Sequence, residues 1–520
     1  MLPEPGSNVF YELIRLWLDD CDVKHAGCKP LPRVSTDEES PQGFPTRLID
    51  VGTRDNFQLR LLETKEEIPG TRKYIALSHP WGNVKMYQPF STWRSDTTGQ
   101  GHDIESFKHA IPYEKLPATF KDAVDCTRAL DVRYLWIDSI CIIQGRDGDF
   151  NEEAENMEKV FSGAYCVLAA SRAAHQHDGF LKPRSQRNFV TFQRVKGKPF
   201  YVCEPIDDFS KDVIEGSLNQ RGWVLQERAL ARRTIYFTEN QTYFECGNGI
   251  RCETLASMRN TMADFIGDPR FPEKAMRANS RALQIAYYQD LYKLYSRLQF
   301  SRDEDRPFAI AGLEKRLRQA FGTKGGFGVF DDGDKLERGL FHRSILWRRG
   351  DEKEFENGLE QIDFLKRGLQ VPSWSWMAYK GGIDYTTPEG GTAEWETDDI
   401  AEPWTRGFRS ATTSAPQDGV IAIPAVVRNF RVGNRRPDDV RLYYDAGKTK
   451  GSDGQRAQCV VVAKDKRIRF EGLKRHYVLL VTPKIADSGR GRKVYERVGA
   501  GYMLGKHINF GEPGIEAEIR

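Results

Sequence analysis

The run Tyr134-Leu-Trp-Ile-Asp-Ser-Ile-Cys-Ile-Ile-Gln144 constrains the fold more than any other stretch of the chain. It is nearly continuous apolar sequence, rich in Ile and aromatics, broken by one carboxylate, Asp138, and closed by Gln144 and Gly145. A run this short and this β-prone, apolar on both faces, predicts a strand buried in the middle of a sheet with helices on each side. Asp138 then sits where charge is costly. Its carboxylate is either hydrogen-bonded by loop amides at the carboxyl end of the strand or works on a ligand there, the edge at which open α/β sheets bind ligands.

Similar elements precede and follow it. Thr46–Val51 and Phe57–Leu62 read as a hairpin of strands. Tyr74–Leu77 is another buried-strand run, and Ser78-His79-Pro80-Trp81-Gly82 is a polar and aromatic turn at its carboxyl end, where Pro80 and Gly82 stop the strand. Residues 91–112 read as a loop. Leu116–Leu130 has apolar positions spaced for one buried helical face, Asn151–Ser162 predicts the next helix and Tyr165–Ala170 the next strand. Strand, helix and strand recurring in this order predict parallel crossovers in an α/β fold.

Ser217–Arg233 predicts a helix feeding a strand at Thr234–Phe237, which pairs with Gln241–Cys246. Gln226 and Glu227 occupy the middle of that helix, and the neighbouring Arg221, Arg228, Arg232 and Arg233 offer Glu227 partners in a surface ion-pair cluster. Arg277–Arg318 reads as helical, with Tyr287, Leu291, Leu294, Tyr295 and Leu298 on one stripe and a restart at Pro307–Leu313. Trp374 and Trp376 at alternate positions predict a strand packing one face. Beyond Gln417, short strands separated by Gly, Asp and Lys clusters predict a small β-rich appendage. The expected organisation is residues 1–70 as a helix and hairpin packed on the core, 71–260 as the α/β core, 261–400 as a helical extension with a Trp-rich strand, and 401–520 as the β-rich region.

Composition excludes several classes. The 520 residues carry 77 Lys+Arg against 74 Asp+Glu, which leaves no electrostatic footprint for nucleic acid or an anionic membrane. The amino terminus lacks a basic region followed by a long apolar one, and no stretch approaches the length of a membrane span, so neither secretion nor insertion is expected. Nine Cys, scattered and mostly inside apolar stretches, fit reduced thiols of a cytoplasmic protein better than a disulfide framework. Neither a phosphate-binding Gly loop nor an HExxH or GxSxG motif occurs.

One metal-ligand pattern stands out. Cys21, His25 and Cys28 lie at i, i+4 and i+7, so a continuing helix puts two thiolates and an imidazole on one face, with a fourth ligand to be drawn from Cys246 or Cys252. Gly27 interrupts that helix, and with only three local ligands a packed helix end, built on cysteines that are commonly buried, is the better reading. Zinc is therefore not expected as a cofactor.

Three motifs carry a resemblance. Tyr74-Ile-Ala-Leu-Ser-His-Pro-Trp-Gly82, Leu116-Pro-Ala-Thr-Phe-Lys-Asp-Ala123 with the 134–144 run, and Arg221-Gly-Trp-Val-Leu-Gln-Glu-Arg-Ala-Leu230 resemble, in order and spacing, the fungal heterokaryon incompatibility (HET) domain proteins. Companion segments extend the likeness over roughly residues 10–400. Pro80 and Gly145 depart from the family pattern. The resemblance implies a fungal cytoplasmic protein of non-self recognition whose domain triggers programmed cell death, acting with other proteins of the incompatibility system or by self-assembly. It also implies a TIR-like α/β core, and with it cleavage of NAD by a helix-borne Glu, here Glu227, with Asp138 as a second candidate. Ser78, His79, Trp81, Gly82, Gln144, Arg221 and Gln226 are the accompanying ligand-binding candidates. The alternative function is an enzyme of another pathway, such as small-molecule metabolism, built on the same fold.

Overall fold

The computed structural model describes residues 2–29, 44–53, 56–67, 71, 73–94, 102–145, 147–185, 189–193, 197–259, 266–277, 280–331, 339–350, 358–389, 391–404, 421–432, 438–446, 457–484 and 493–520. The chain divides into two compact units, Met1–Lys274 and Ala275–Arg520.

The first unit opens with helix α1 (Asn8–Lys24), which starts because the Ser7 side chain accepts a hydrogen bond from the Phe10 amide. Its apolar residues Phe10, Ile14, Trp17, Leu18 and Cys21 recur at helical spacing and are buried. Strands β1 (Arg47–Asp50) and β2 (Arg60–Glu63) form the expected hairpin, with Arg47 opposite Glu63. Then follow β3 (Tyr74–Ser78), α2 (Ala118–Ala129), β4 (Tyr134–Trp136), the short α3 (Asp138–Cys141), α4 (Phe150–Gly163) and β5 (Cys166–Ala169). The unit continues with α5 (Gly222–Leu230), β6 (Arg233–Phe237), β7 (Thr242–Cys246), β8 (Gly249–Cys252) and β9 (Ser257–Met258).

These strands make one nine-stranded mixed sheet in the order β9-β8-β7-β6-β5-β3-β4-β1-β2. Its centre, β6-β5-β3-β4, is parallel, and antiparallel strands extend it on both sides. Helices cover both faces. Phe10 and Trp17 of α1 lie against Phe237 and Phe244, while α4 packs Phe161 on Trp136 and approaches α5 through Phe150 and Trp223. From β3 the chain crosses to β4 on one side, then returns over β3 to β5 on the other. Right-handed crossovers in opposite directions send the loops after β3 and β4 to opposite faces and open a crevice between their carboxyl ends.

The expected strand over 134–144 is corrected. It ends at Trp136, and Asp138 opens α3 because its carboxylate accepts from the Ser139 amide, at 2.6 Å, while its carbonyl accepts from the Ile142 amide. β-branched composition alone could not reveal that one Asp-Ser pair turns the chain. Residues 143–144 instead join a three-stranded sheet with Thr92–Trp93 and His102–Asp103, and Ile104–His109 is helical, so much of the expected 91–112 loop is regular. Residues 95–101 of it lie outside the described residues.

In the second unit, helices Arg281–Ser296 and Ala311–Phe321 stand where helical periodicity was read. The buried stripe is Ile285, Tyr288, Leu291, Tyr292 and Tyr295, rotated from the expected one so that Tyr287 and Leu294 are only half-buried. Trp374 and Trp376 are fully buried, but in a turn and the 3₁₀ helix Trp376–Ala378 rather than a strand. A seven-stranded sheet runs in the order 393–395, 458–465, 475–483, 493–504, 515–519, 423–427, with 440–444 also paired to 493–504. Alternation gives it two cores: Val460, Val462, Leu479 and Val481 face one, and Cys459, Val461, Val478 and Leu480 the other. Among the described residues, no helix is long and apolar enough to cross a membrane.

Candidate functional site

Period-two alternation along β3 puts Tyr74, Ala76 and Ser78 on the face covered by α4 and α5. The Tyr74 hydroxyl donates to the Val160 carbonyl of α4 at 2.6 Å, and the Ser78 hydroxyl donates to the Glu227 carboxyl of α5. Helix α5 begins after Arg221, whose backbone is extended, and is buried on almost every side, including Gln226 and Glu227. Burial pushes the Glu227 carboxyl up to about 7, against the pull of the Ser78 hydrogen bond. The charge of Asp138 adds to the rise, and the Arg221 guanidinium opposes it. Near neutrality this group therefore exists in both protonation states.

The turn after β3 supplies the next groups. His79 is buried, and burial lowers its imidazole to about 4, so the ring is neutral at physiological pH. Its ring meets Phe120 edge-on at 5.0 Å, and Nδ1 lies 3.7 Å from the Asp138 carboxyl, beyond hydrogen-bond length. The Arg221 guanidinium donates to the His79 carbonyl at 2.8 Å, which ties the turn to the start of α5. The Trp81 indole N–H donates to Asp138 at 2.7 Å. Gly82 adopts φ +83°, and a Cβ there would lie 2.4 Å from the His175 Cβ, so glycine is needed both for the turn and for the approach of the next loop.

Ser78, His79, Trp81, Asp138, Arg221 and Glu227 thus gather at the carboxyl ends of β3 and β4, where the crossovers diverge. Gly82 closes their turn. Gln226 is buried beside Glu227 in the chain, whereas the Gln144 amide turns back to donate to the Ile142 carbonyl at 3.0 Å. Sequence reasoning missed Gln176. Its Nε2 lies 3.5 Å from His79 Nε2, and its side-chain oxygen accepts from the Phe90 amide at 2.7 Å. The available signal was the polar string His175-Gln176-His177 shortly after β5, at the same edge of the sheet.

The expected surface ion-pair cluster around Glu227 is corrected as well. Arg228 makes a two-pronged pair with Glu245 at 2.9 and 3.0 Å, Arg232 donates to the carbonyls of Cys28, Gly163 and Ala164, and Arg233 pairs with Asp22. All three arginines are buried, and none of these partners is Glu227. Only Arg228 stands on α5; Arg232 lies in the connection after it and Arg233 opens β6, so the three side chains reach different neighbours instead of pairing along one helix surface.

The metal trio lies at the other end of the sheet. The helix stops at Lys24 and a 3₁₀ turn over Ala26–Cys28 brings Cys28 back, so the expected single helical face is replaced by a fold-back. Cys21, His25 and Cys28 meet Cys246, the last residue of β7. Cys252 lies elsewhere, its sulfur beside Thr254 and Asp207.

No curated protein and no solved structure matches the chain. A family model does match, over residues 74–227, and its description is heterokaryon incompatibility protein (HET). That span opens on the first residue of β3 and closes on Glu227, so it contains every residue of the cluster at the sheet edge. The chain thus carries a HET domain over residues 74–227.

Proposed function

We propose that the chain is a cytoplasmic allorecognition effector of a fungal cell, that its HET domain brings about cell death, and that it does so by hydrolysing NAD with Glu227. The observation that carries the reading is a buried carboxyl group, raised to about 7, at the crossover edge of a parallel sheet beside Ser78, Trp81 and a second carboxyl group, Asp138. The remote likeness of HET to TIR domains supports the choice of substrate. Assembly with other incompatibility proteins, or with further copies of the chain, is the proposed trigger.

The chemistry balances as NAD plus water giving ADP-ribose, nicotinamide and a proton. The bond between ribose C1′ and the nicotinamide nitrogen breaks, and its electron pair leaves on the nicotinamide ring. The ionised Glu227 offsets the positive charge of the oxocarbenium ion that remains, and it accepts the proton of the water that attacks C1′. A basicity near 7 suits both tasks. The Trp81 indole offers a face on which the nicotinamide ring stacks.

A second reading has its own support: Glu227 is only 9% exposed and Ser78 3%, as fits a pair that latches α5 onto β3. Expression of the full chain in a fungal host, with viability scored for wild type and Glu227→Gln, separates the two. The glutamine keeps a hydrogen bond to Ser78 but cannot take a proton. Death with wild type and growth with the variant at equal protein level supports catalysis, and equal killing by both leaves Glu227 as a latch.

A further inference from the structure

The geometry points to a structural zinc site formed by Cys21, His25, Cys28 and Cys246. It does not rest on the reading of Glu227. The four donor atoms lie within 4.8 Å of one another, with the Cys246 sulfur 3.4 Å from His25 Nδ1. A tetrahedral zinc with bonds of about 2.3 Å to sulfur and about 2.0 Å to nitrogen holds sulfurs about 3.8 Å apart and sulfur and nitrogen about 3.5 Å apart, so the donors need only small movements to close on an ion. Three thiolates and an imidazole select zinc over the hard cations, and four protein ligands leave no open position for catalysis.

The surroundings complete the set. Three thiolates around a divalent ion leave a net negative charge, and the Arg233 guanidinium donates to the Cys21 sulfur at 3.2 Å. The Gly247 amide donates to the Cys28 sulfur. With Nδ1 on the metal, His25 Nε2 carries the proton; the Asn248 side-chain nitrogen stands 3.0 Å from it, and a flip of that amide puts its oxygen there to accept. The strand register places Cys246 opposite Arg233, at the amino ends of the parallel strands and away from the Ser78 edge. Zinc there ties the end of α1 and the turn after it to the sheet's antiparallel extension, joining segments far apart in the chain.

The full-length protein, purified in reductant without chelator, is analysed for metals. About one zinc per chain is expected, with a fall in melting temperature on chelation that added zinc reverses. Cys246→Ser and Cys28→Ser should lose most of the zinc, whereas Cys203→Ser, at an exposed cysteine outside the set, and His25→Cys, which restores a ligand, should keep it. Because the serine variants risk misfolding, cobalt exchange into wild type gives an independent reading: thiolate charge-transfer bands with the visible spectrum of a tetrahedral ion. Wild type without zinc and without that cobalt spectrum overturns the proposal. So does a disulfide among Cys21, Cys28 and Cys246 in the intact mass.

Discussion

Replacing Glu227 with Gln should change how the stability of the first unit depends on pH. In the unfolded chain a Glu carboxyl ionises near its ordinary 4.5, and in the fold it ionises at about 7. Between those values the unfolded state has released a proton that the folded state retains, so ionisation favours unfolding as pH rises. The contribution is fully present below 4.5, falls through the window from 4.5 to about 7, and is gone above it. At 1.36 kcal/mol per pH unit, the loss amounts to about 3 kcal/mol. Gln titrates nowhere in this range and accepts the same Ser78 hydroxyl. The variant should therefore match wild type near pH 4.5 and exceed it by about 3 kcal/mol at pH 8, a melting shift of roughly 6 to 12 °C for a unit of this size. His79, lowered to about 4, produces the opposite trend on the acid side, but it is present in both proteins and largely drops out of the difference. Thermal unfolding of both proteins at half-unit steps from pH 4.5 to 8 makes the measurement. Parallel curves would refute the argument that Glu227 is buried and partly protonated.

Three further outcomes follow from other contacts. Asp138→Ala removes the acceptor of the Trp81 indole and the Ser139 amide and should cost about 1 to 3 kcal/mol in denaturant unfolding; unchanged stability with lost killing would make Asp138 a site residue instead. Gly82→Ala forces a left-handed backbone on alanine and drives its Cβ into His175, so a loss of about 2 kcal/mol or more and a change in Trp81 fluorescence are expected. In the second unit, Arg497 is buried against Asp445, donates to the carbonyls of Ile345 and Trp347, and stacks 3.2 Å from the Trp347 ring centre. Arg497→Met strands the Asp445 charge and should cost about 3 to 5 kcal/mol, partly recovered by adding Asp445→Asn, as read by limited proteolysis.

The alternation of apolar runs and amphipathic helices made the α/β core legible, because burial on both sides of a sheet writes itself into composition. The hairpin at β1 and β2 and the pairing of β6 with β7 were readable for the same reason. What could not be read were places where a few polar atoms redirect the chain. Asp138 ends a run that otherwise looks like one strand, the helix stops at Lys24 and a 3₁₀ turn folds Cys28 back, and the two tryptophans at 374 and 376 are buried by a turn that only their tertiary neighbours specify. At the site, Ser78, His79, Trp81 and Asp138 were marked by their position at strand ends. The partners of Arg228, Arg232 and Arg233 were not marked, since nothing local says that α5 is buried all round or that the helix ends before Arg232. Gln176 belongs to its cluster only through long-range closure, and the same closure selects Cys246 over Cys252 as the fourth member of the other.

Incubating the purified full-length protein with NAD, under crowding or with a partner that promotes assembly, and measuring nicotinamide release puts the role of Glu227 to the test. Wild type is predicted to release nicotinamide at a rate that rises with pH through about 7 as Glu227 ionises, and Glu227→Gln is predicted to release none above background. Absence of release from assembled wild-type protein that still kills cells would rule out NAD cleavage as the killing reaction.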